Sequence, residues 1–288
     1  MPEAYFVTDL HGRKQLYLSL FKYLEKNPPD ILLLGGDLFP PFMQPSEPGS
    51  PGKPDFINGF LRIFFMDLKI LLTEKYPKTF LIMGNDDPRY YESALIDSGN
   101  SLWVYIHHRK KQLSEYSLYG YNYVPPTPFM LKDWERYDVS RYVDVGCISP
   151  EEGTRTFPIS EHEKKWTTIK DDLTSMTEND PMENAIFLFH TPPYDTELDV
   201  GDIKYDVIDY VPVDKHLGSI AVRRFIEEKQ PLLTLHGHVH ESSRMSETWL
   251  QKIGRTVCIN GAFEGDKLSL IRIDLEDPES AELMLLQD

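Results

Sequence analysis

Residues 4–37 read AYFVTDLHGRKQLYLSLFKYLEKNPPDILLLGGD, and their order decides the class of fold. Ala4 to Val7 is a short apolar run, too brief for a helix and suited to a buried strand. Leu16, Leu20, Phe21 and Leu24 then repeat with helical spacing, and Pro28 with Pro29 ends that segment. Ile31 to Leu34 supplies a second buried strand, closed by Gly35-Gly36-Asp37. Strand, helix and strand in that order predict a parallel pair joined by a right-handed crossover.

The pattern continues on the C-terminal side. Pro40 to Pro54 holds six prolines and two glycines, so a surface loop is expected near 40–54. Asp55 is placed to cap a helix from Phe56 to Glu74, and Thr79 to Met83 makes a third apolar strand ending in Gly84-Asn85-Asp86-Asp87. Periodicity weakens near 122–180, which reads as an insertion. Its clearest signal is Ser160 followed by Glu163, a capping box opening a charged, solvated helix toward Thr177. Strand logic resumes with Ala185 to Phe189 running into His190, and with Leu232 to Leu235 running into His236-Gly237-His238-Val239-His240. A helix from Ser219 to Lys229 lies between them, and strands near 256–259, 268–273 and 282–286 close the chain. Alternation first and strands later predict a layered α/β sandwich with mixed sheets, and 288 residues suit a single domain over 1–288.

Thirty basic against forty-six acidic residues leave a formal charge of −16, which argues against a sequence-independent grip on nucleic acid, since that affinity comes from Lys and Arg neutralising phosphates. Cys147 and Cys258 are too few for a disulfide framework and fit a reducing compartment. No apolar run approaches the roughly 18 residues of a membrane span, and the first residues show no secretory signal, so a cytoplasmic setting without membrane attachment is expected.

The strand ends collect one kind of chemistry. Asp9, His11, Asp37, Asn85, His190, His238 and His240 all sit there. Imidazole and carboxylate together suit divalent Mn, Fe, Ni, Co or Zn, whereas calcium takes oxygen alone. Residues two apart on an extended chain share a face, so Asp9 with His11, and His238 with His240, each aim a pair into one cleft. Seven donors exceed one tetrahedral zinc and suit two metals, which need a bridging ligand; Asp37, on a central strand, is the natural one. Two divalent ions, two carboxylates and a bridging hydroxide leave a local charge of about +1, attractive to phosphate.

These clusters resemble the signature of the calcineurin-like metallophosphoesterases, whose motifs D-x-H, G-D, G-N-H-[DE], a lone His after a strand and G-H-x-H appear here in order. They are Asp9-Leu10-His11, Gly36-Asp37, Gly84-Asn85-Asp86-Asp87, His190 and Gly237-His238-Val239-His240. The segments His190 to Tyr194 and Gly218 to Ser242 further resemble the branch of predicted phosphoesterases related to bacterial cyclic-nucleotide phosphodiesterases. The resemblance implies a four-layer α/β/β/α sandwich. It also implies one metal on Asp9, His11, Asp37 and His240, and a second on Asp37, Asn85, His190 and His238. In that family the His after Gly-Asn contacts the phosphate and helps protonate the leaving group; here Asp86 replaces it. Asn85 and Asp86 are therefore the candidate catalytic residues, with Asp86 either a weak acid substitute or a group behind the ligands. The expected activity is hydrolysis of a small phosphorylated substrate, a phosphodiester before a monoester, by a hydroxide between two divalent metals. A non-catalytic protein-binding scaffold and a nuclease are the alternatives on the same fold.

Other residues carry lesser expectations. His236 reads as a core or supporting group, and His107, His108, His162 and His216 as surface residues. Arg89 is a candidate phosphate clamp, Tyr121, Asn122 and Tyr194 candidate cleft walls, and the acidic run from Asp195 to Asp209 a solvated connection.

Overall fold

Apolar runs that lack polar interruption become central parallel strands, buried on both faces. The computed structural model describes residues 2–40, 56–178, 180–204, 207–208 and 210–287. The first half runs β1 (Glu3–Val7), α1 (Lys14–Lys26), β2 (Ile31–Gly35), α2 (Arg62–Leu72), β3 (Lys78–Ile82), α3 (Glu92–Gly99), β4 (Val104–Tyr105) and the hairpin β5 (Arg109–Leu113) and β6 (Tyr116–Tyr121). The second half runs α4 (Glu161–Trp166), α5 (Ile169–Thr177), β7 (Ala185–Phe189), β8 (Val207–Ile208), β9 (Val211–Pro212), α6 (Ile220–Lys229), β10 (Leu233–His236), α7 (Ser242–Ser246), β11 (Leu250–Ile253), β12 (Thr256–Asn260), β13 (Leu268–Asp274) and β14 (Glu282–Leu286).

Two six-stranded mixed sheets form, ordered β14-β13-β1-β2-β3-β4 and β11-β12-β10-β7-β6-β5. Each contains four parallel strands, β1 to β4 in one and β6, β7, β10 and β12 in the other. Alternation along the strands sorts side chains between layers. Phe6, Leu33, Ile82, Leu188, Leu235 and Ile259 meet in the core between the sheets. Their neighbours Tyr5, Leu32, Leu81, Phe187 and Phe189 face outward, under α1, α2, α5 and α6. The result is the expected α/β/β/α sandwich. Among the described residues no helix is long and apolar enough to cross a membrane.

Several local expectations change. The helix expected from Ser160 to Thr177 is two helices, because Thr167 adopts an extended ψ of 142° and Thr168 starts a new cap, its hydroxyl accepting from the Asp171 N–H at 3.1 Å. The second of them, α5, is not solvated on all sides. It buries Ile169, Leu173 and Thr177 and packs on α6. The helix after the proline-rich segment begins in a wide π-type turn, Ile57–Leu61, and α2 stops at Leu72, since Thr73 turns to φ +51°. Asp55 as a cap, and the loop 40–54 beyond Pro40, lie outside the described residues. The acidic run from Asp195 is no mere solvated link, since Asp199 is fully buried and accepts from the N–H groups of Thr196 and Gly218; Tyr205, Asp206 and Asp209 lie outside the description. His107 is caged by the rings of Tyr121, Tyr123 and Trp134, and His216 is half-buried against Asp199 at 2.8 Å, so neither is a free surface group.

Candidate metal centre

Past their last hydrogen-bonded residues the parallel strands continue as paired turns. Asp9 N–H donates to the Gly36 carbonyl (3.0 Å) and His11 N–H to the Asp37 carbonyl (2.7 Å), zipping together the turns after β1 and β2. In the second sheet, His190 N–H reaches the Tyr121 carbonyl and Gly237 N–H the His190 carbonyl. These turns take sharp backbone geometry: Asp9, His11, Asp37 and His238 have φ of 56°, 45°, 51° and 71°. Asp and His are among the few side chains that enter this left-handed region readily, and clustering of such residues marks functional sites.

The sheets meet at this edge. Asp9 Oδ1 accepts from the His238 N–H (3.1 Å) and lies 3.1 Å from His240 Nε2, which is itself 3.2 Å from His11 Nε2. His190 crosses the other way, Nδ1 donating to the Gly35 carbonyl at 2.9 Å. That bond leaves the Nε2 lone pair facing Asp37 Oδ2 at 3.3 Å and Asn85 Oδ1 at 3.2 Å. An imidazole nitrogen and two oxygens thus converge on one point, which a proton on Nε2 or a cation in its place would satisfy. Gly36 and Gly84 permit this approach. A Cβ on Gly36 would lie 2.7 Å from His190 Nδ1, and one on Gly84 2.3 Å from Asp37 Oδ1.

Ligand atoms converge in three overlapping sets: Asp9, His11 and His240; Asp9, Asp37 and His190; and His11, Asp37 and Asp86. Within each set the atoms lie within 4.8 Å of one another. His238 enters none of these sets; its ring abuts that of His190 at 5.4 Å between centroids. All seven sequence-derived donors therefore gather at one edge of the sandwich, with Asp9 and Asp37 almost completely buried. Burial by itself would raise both carboxyls, but His240 beside Asp9 and His190 beside Asp37 outweigh it and hold them below the ordinary range. Burial likewise opposes charge on the imidazoles, yet Asp37 draws His190 up to about 10 and Asp9 draws His240 up to about 9. Two buried carboxylates pull positive charge inward, whether carried by protons or by metal ions. His238, buried and beside His190, is pushed down to about 4, which keeps a neutral nitrogen available.

Asp86 occupies the mouth. Its N–H donates to Asp37 Oδ1 (2.8 Å), its Oδ1 accepts from Asn85 Nδ2 (3.0 Å), and its Oδ2 lies 3.6 Å from His11 Nδ1. The other candidates have partners of their own. Arg89 stacks between Trp134 and Phe157 and pairs with Glu92 and Glu163, so it clamps surrounding chain rather than pointing a free guanidinium at the site. The Tyr121 hydroxyl bonds Asp172, and Tyr194 bonds Asp214; Asn122 lies behind the site, accepting from the Met83 N–H and donating to Tyr105. The residue that sequence reasoning passes over is Asp87. It is fully buried and accepts from the N–H groups of Leu38 (3.0 Å), Phe39 (2.8 Å) and Gly84 (3.0 Å), tying the turn that carries Asp37 to the one that carries Asn85. Its signal is a second acid directly after Asp86 in a glycine-led turn.

A family model described as calcineurin-like phosphoesterase matches residues 4–242. The chain belongs to that family. As a calcineurin-like phosphoesterase it is a member of a group that binds divalent metals at a dinuclear site. It is 24% identical over 256 residues to an uncharacterized protein of Methanocaldococcus jannaschii, across 88% of this chain and 85% of that one. Its fold is similar to a crystal structure of TT1561 of Thermus thermophilus (TM-score 0.53, 15% identity, 99% and 98% of the two chains). A further crystal structure matches at a TM-score of 0.58 and 16% identity over 99% of each chain. At these identities the likeness concerns the fold.

Proposed function

We propose that this phosphoesterase hydrolyses phosphodiesters in preference to monoesters, using two divalent transition metal ions held by Asp9, His11, Asp37, Asn85, His190, His238 and His240. The observation that carries the metal reading is the convergence of His190 Nε2, Asp37 Oδ2 and Asn85 Oδ1, with the other imidazole nitrogen committed to the Gly35 carbonyl. Bound ions would supply positive charge for the phosphate and lower the pKa of a coordinated water. The chain's own part is to fix those donors on turns zipped between two sheets and to keep them largely dry. The free thiols of Cys147 and Cys258 support a cytoplasmic setting.

Asp86 supports the preference for diesters. A phosphomonoester carries nearly two negative charges at neutral pH and a diester one. At about 6 Å and an effective dielectric of about 20, each unit of charge meets about 3 kcal/mol of repulsion from a carboxylate. The Asp86 side chain is 39% exposed, and solvent screening reduces the extra penalty on a monoester to about 1 kcal/mol, roughly fivefold in rate. Activity on bis(4-nitrophenyl) phosphate should therefore exceed that on 4-nitrophenyl phosphate in the presence of manganese. Asp86→His should move the ratio of kcat/KM toward the monoester. A wild-type enzyme that prefers the monoester, or a ratio indifferent to Asp86→His, would refute the preference. Elemental analysis of Asp37→Asn tests the metal reading separately; an unchanged metal content would remove the bridge.

A further inference from the structure

Helix α2 is apolar on two opposite faces. Phe65, Leu68 and Leu72 are buried against the sandwich, while Ile63, Met66 and Ile70 on the far side are 47%, 37% and 72% exposed. A helix that is apolar all round is normally covered all round, and exposed aliphatic stripes mark interaction sites. We infer that this outer face is a self-association surface, on which α2 of a second copy packs in parallel about a two-fold axis.

The spacing is that of a short coiled-coil seam. With Ile63 at a, Met66 at d and Ile70 at a, Arg62 falls at g and Asp67 at e. In a parallel pair, g of one helix faces the e position five residues further on in its partner. Arg62 of each copy therefore meets Asp67 of the other, and the two-fold makes the contact twice. An antiparallel pair would instead set the basic flank of Arg62 and Lys69 against its own copy. Neither Arg62 nor Asp67 makes an ion pair among the described residues, whereas Lys69 is already committed to the carbonyl and hydroxyl of Ser101. Beside the stripe runs a groove of about 320 Å³ lined by Arg62, Met66, Lys69, Ile70, Ser101 and Leu102, open to receive an aliphatic side chain of the partner helix. An anionic lipid surface fits less well, because the chain carries −16 and Asp67 sets an acid beside the bases of this face.

The test is sedimentation velocity of the full chain across a concentration series, with charge exchange as the discriminating step. The wild type should show a concentration-dependent dimer, and Ile70→Glu, at a solvent-facing position away from the metal centre, should be monomeric with unchanged hydrolytic rate. Arg62→Asp and Asp67→Arg should each weaken the dimer roughly tenfold, and the double exchange should restore it to within about threefold. A wild type that stays monomeric at submillimolar concentration overturns the inference, as does a dimer that survives Ile70→Glu or a double exchange no tighter than either single one. Co-sedimentation of a monomeric wild type with phosphatidylglycerol vesicles, abolished by Ile70→Glu, would reassign the face to lipid.

Discussion

Replacing Asp87 by alanine should destabilise the protein more than replacing any exposed acid, and the size follows from its contacts. The carboxyl is completely enclosed and accepts three backbone N–H groups, from Leu38, Phe39 and Gly84, at 2.8 to 3.0 Å. Burial, with Asp37 nearby, pushes its pKa up to about 8, while these donors pull the other way. Each buried donor left without an acceptor costs about 1 to 3 kcal/mol. Allowing one donor to recover a water leaves about 3 to 5 kcal/mol in total, or about 10 °C in Tm for a chain of this size. Asp87→Asn keeps one carbonyl oxygen and should lose roughly half as much. Urea unfolding of metal-free protein at neutral pH measures both, with an unchanged m-value confirming that the folded state is the one affected. The same substitutions should weaken manganese binding about tenfold, because the two turns that Asp87 joins carry Asp37 and Asn85. A loss below about 0.5 kcal/mol for Asp87→Ala, the size of an ordinary surface change, would show that these hydrogen bonds do not hold the turns.

Gly36→Ala should lower metal content and stability together, because a methyl group there requires φ +98° and lands 2.7 Å from His190 Nδ1; full metal occupancy in the variant would argue that the His190 bond to Gly35 is dispensable. His107 is held well below its ordinary pKa by burial, with His108 and Arg136 adding to the effect. The unfolded chain therefore takes up a proton near pH 6.5 that the folded chain refuses, so stability is complete above that pH and falls by up to about 1.4 kcal/mol per unit below it. His107→Gln should flatten the decline in urea midpoint between pH 7 and pH 5; an identical slope in mutant and parent would mean that His107 does not drive it.

Apolar strands were legible because a run such as Ile31 to Leu34, with prolines just before it and glycines just after, is too short for a helix, and the donors were legible because each lies within a few residues of the end of such a run. What hid was strand structure built from tyrosines and polar residues. β6, Tyr116–Tyr121, lies inside its sheet, yet its sequence YSLYGY carries a serine and a glycine, and its burial depends on Phe187, distant in the chain, stacking on Tyr119. Its partner β5 is RKKQL, an edge strand whose polar residues face water. The break at Thr167 was hidden for a related reason: the capping box at Ser160 marks where a helix begins, while its end depends on Thr168 offering a competing cap. Asp87 shows the limit at the site itself, since a buried acceptor for backbone donors and a ligand look alike in one dimension.

The left-handed turns at Asp9, His11, Asp37 and His238 bear on how such chains drift. A bulky or β-branched replacement at any of these points is penalised by the turn before any question of chemistry arises. A descendant that had abandoned hydrolysis would still be held to Asp, Asn, His or Gly there by the demands of folding alone. Survival of the motif in a silent relative would then testify to the shape of the chain, and turnover would have to be asked of it separately.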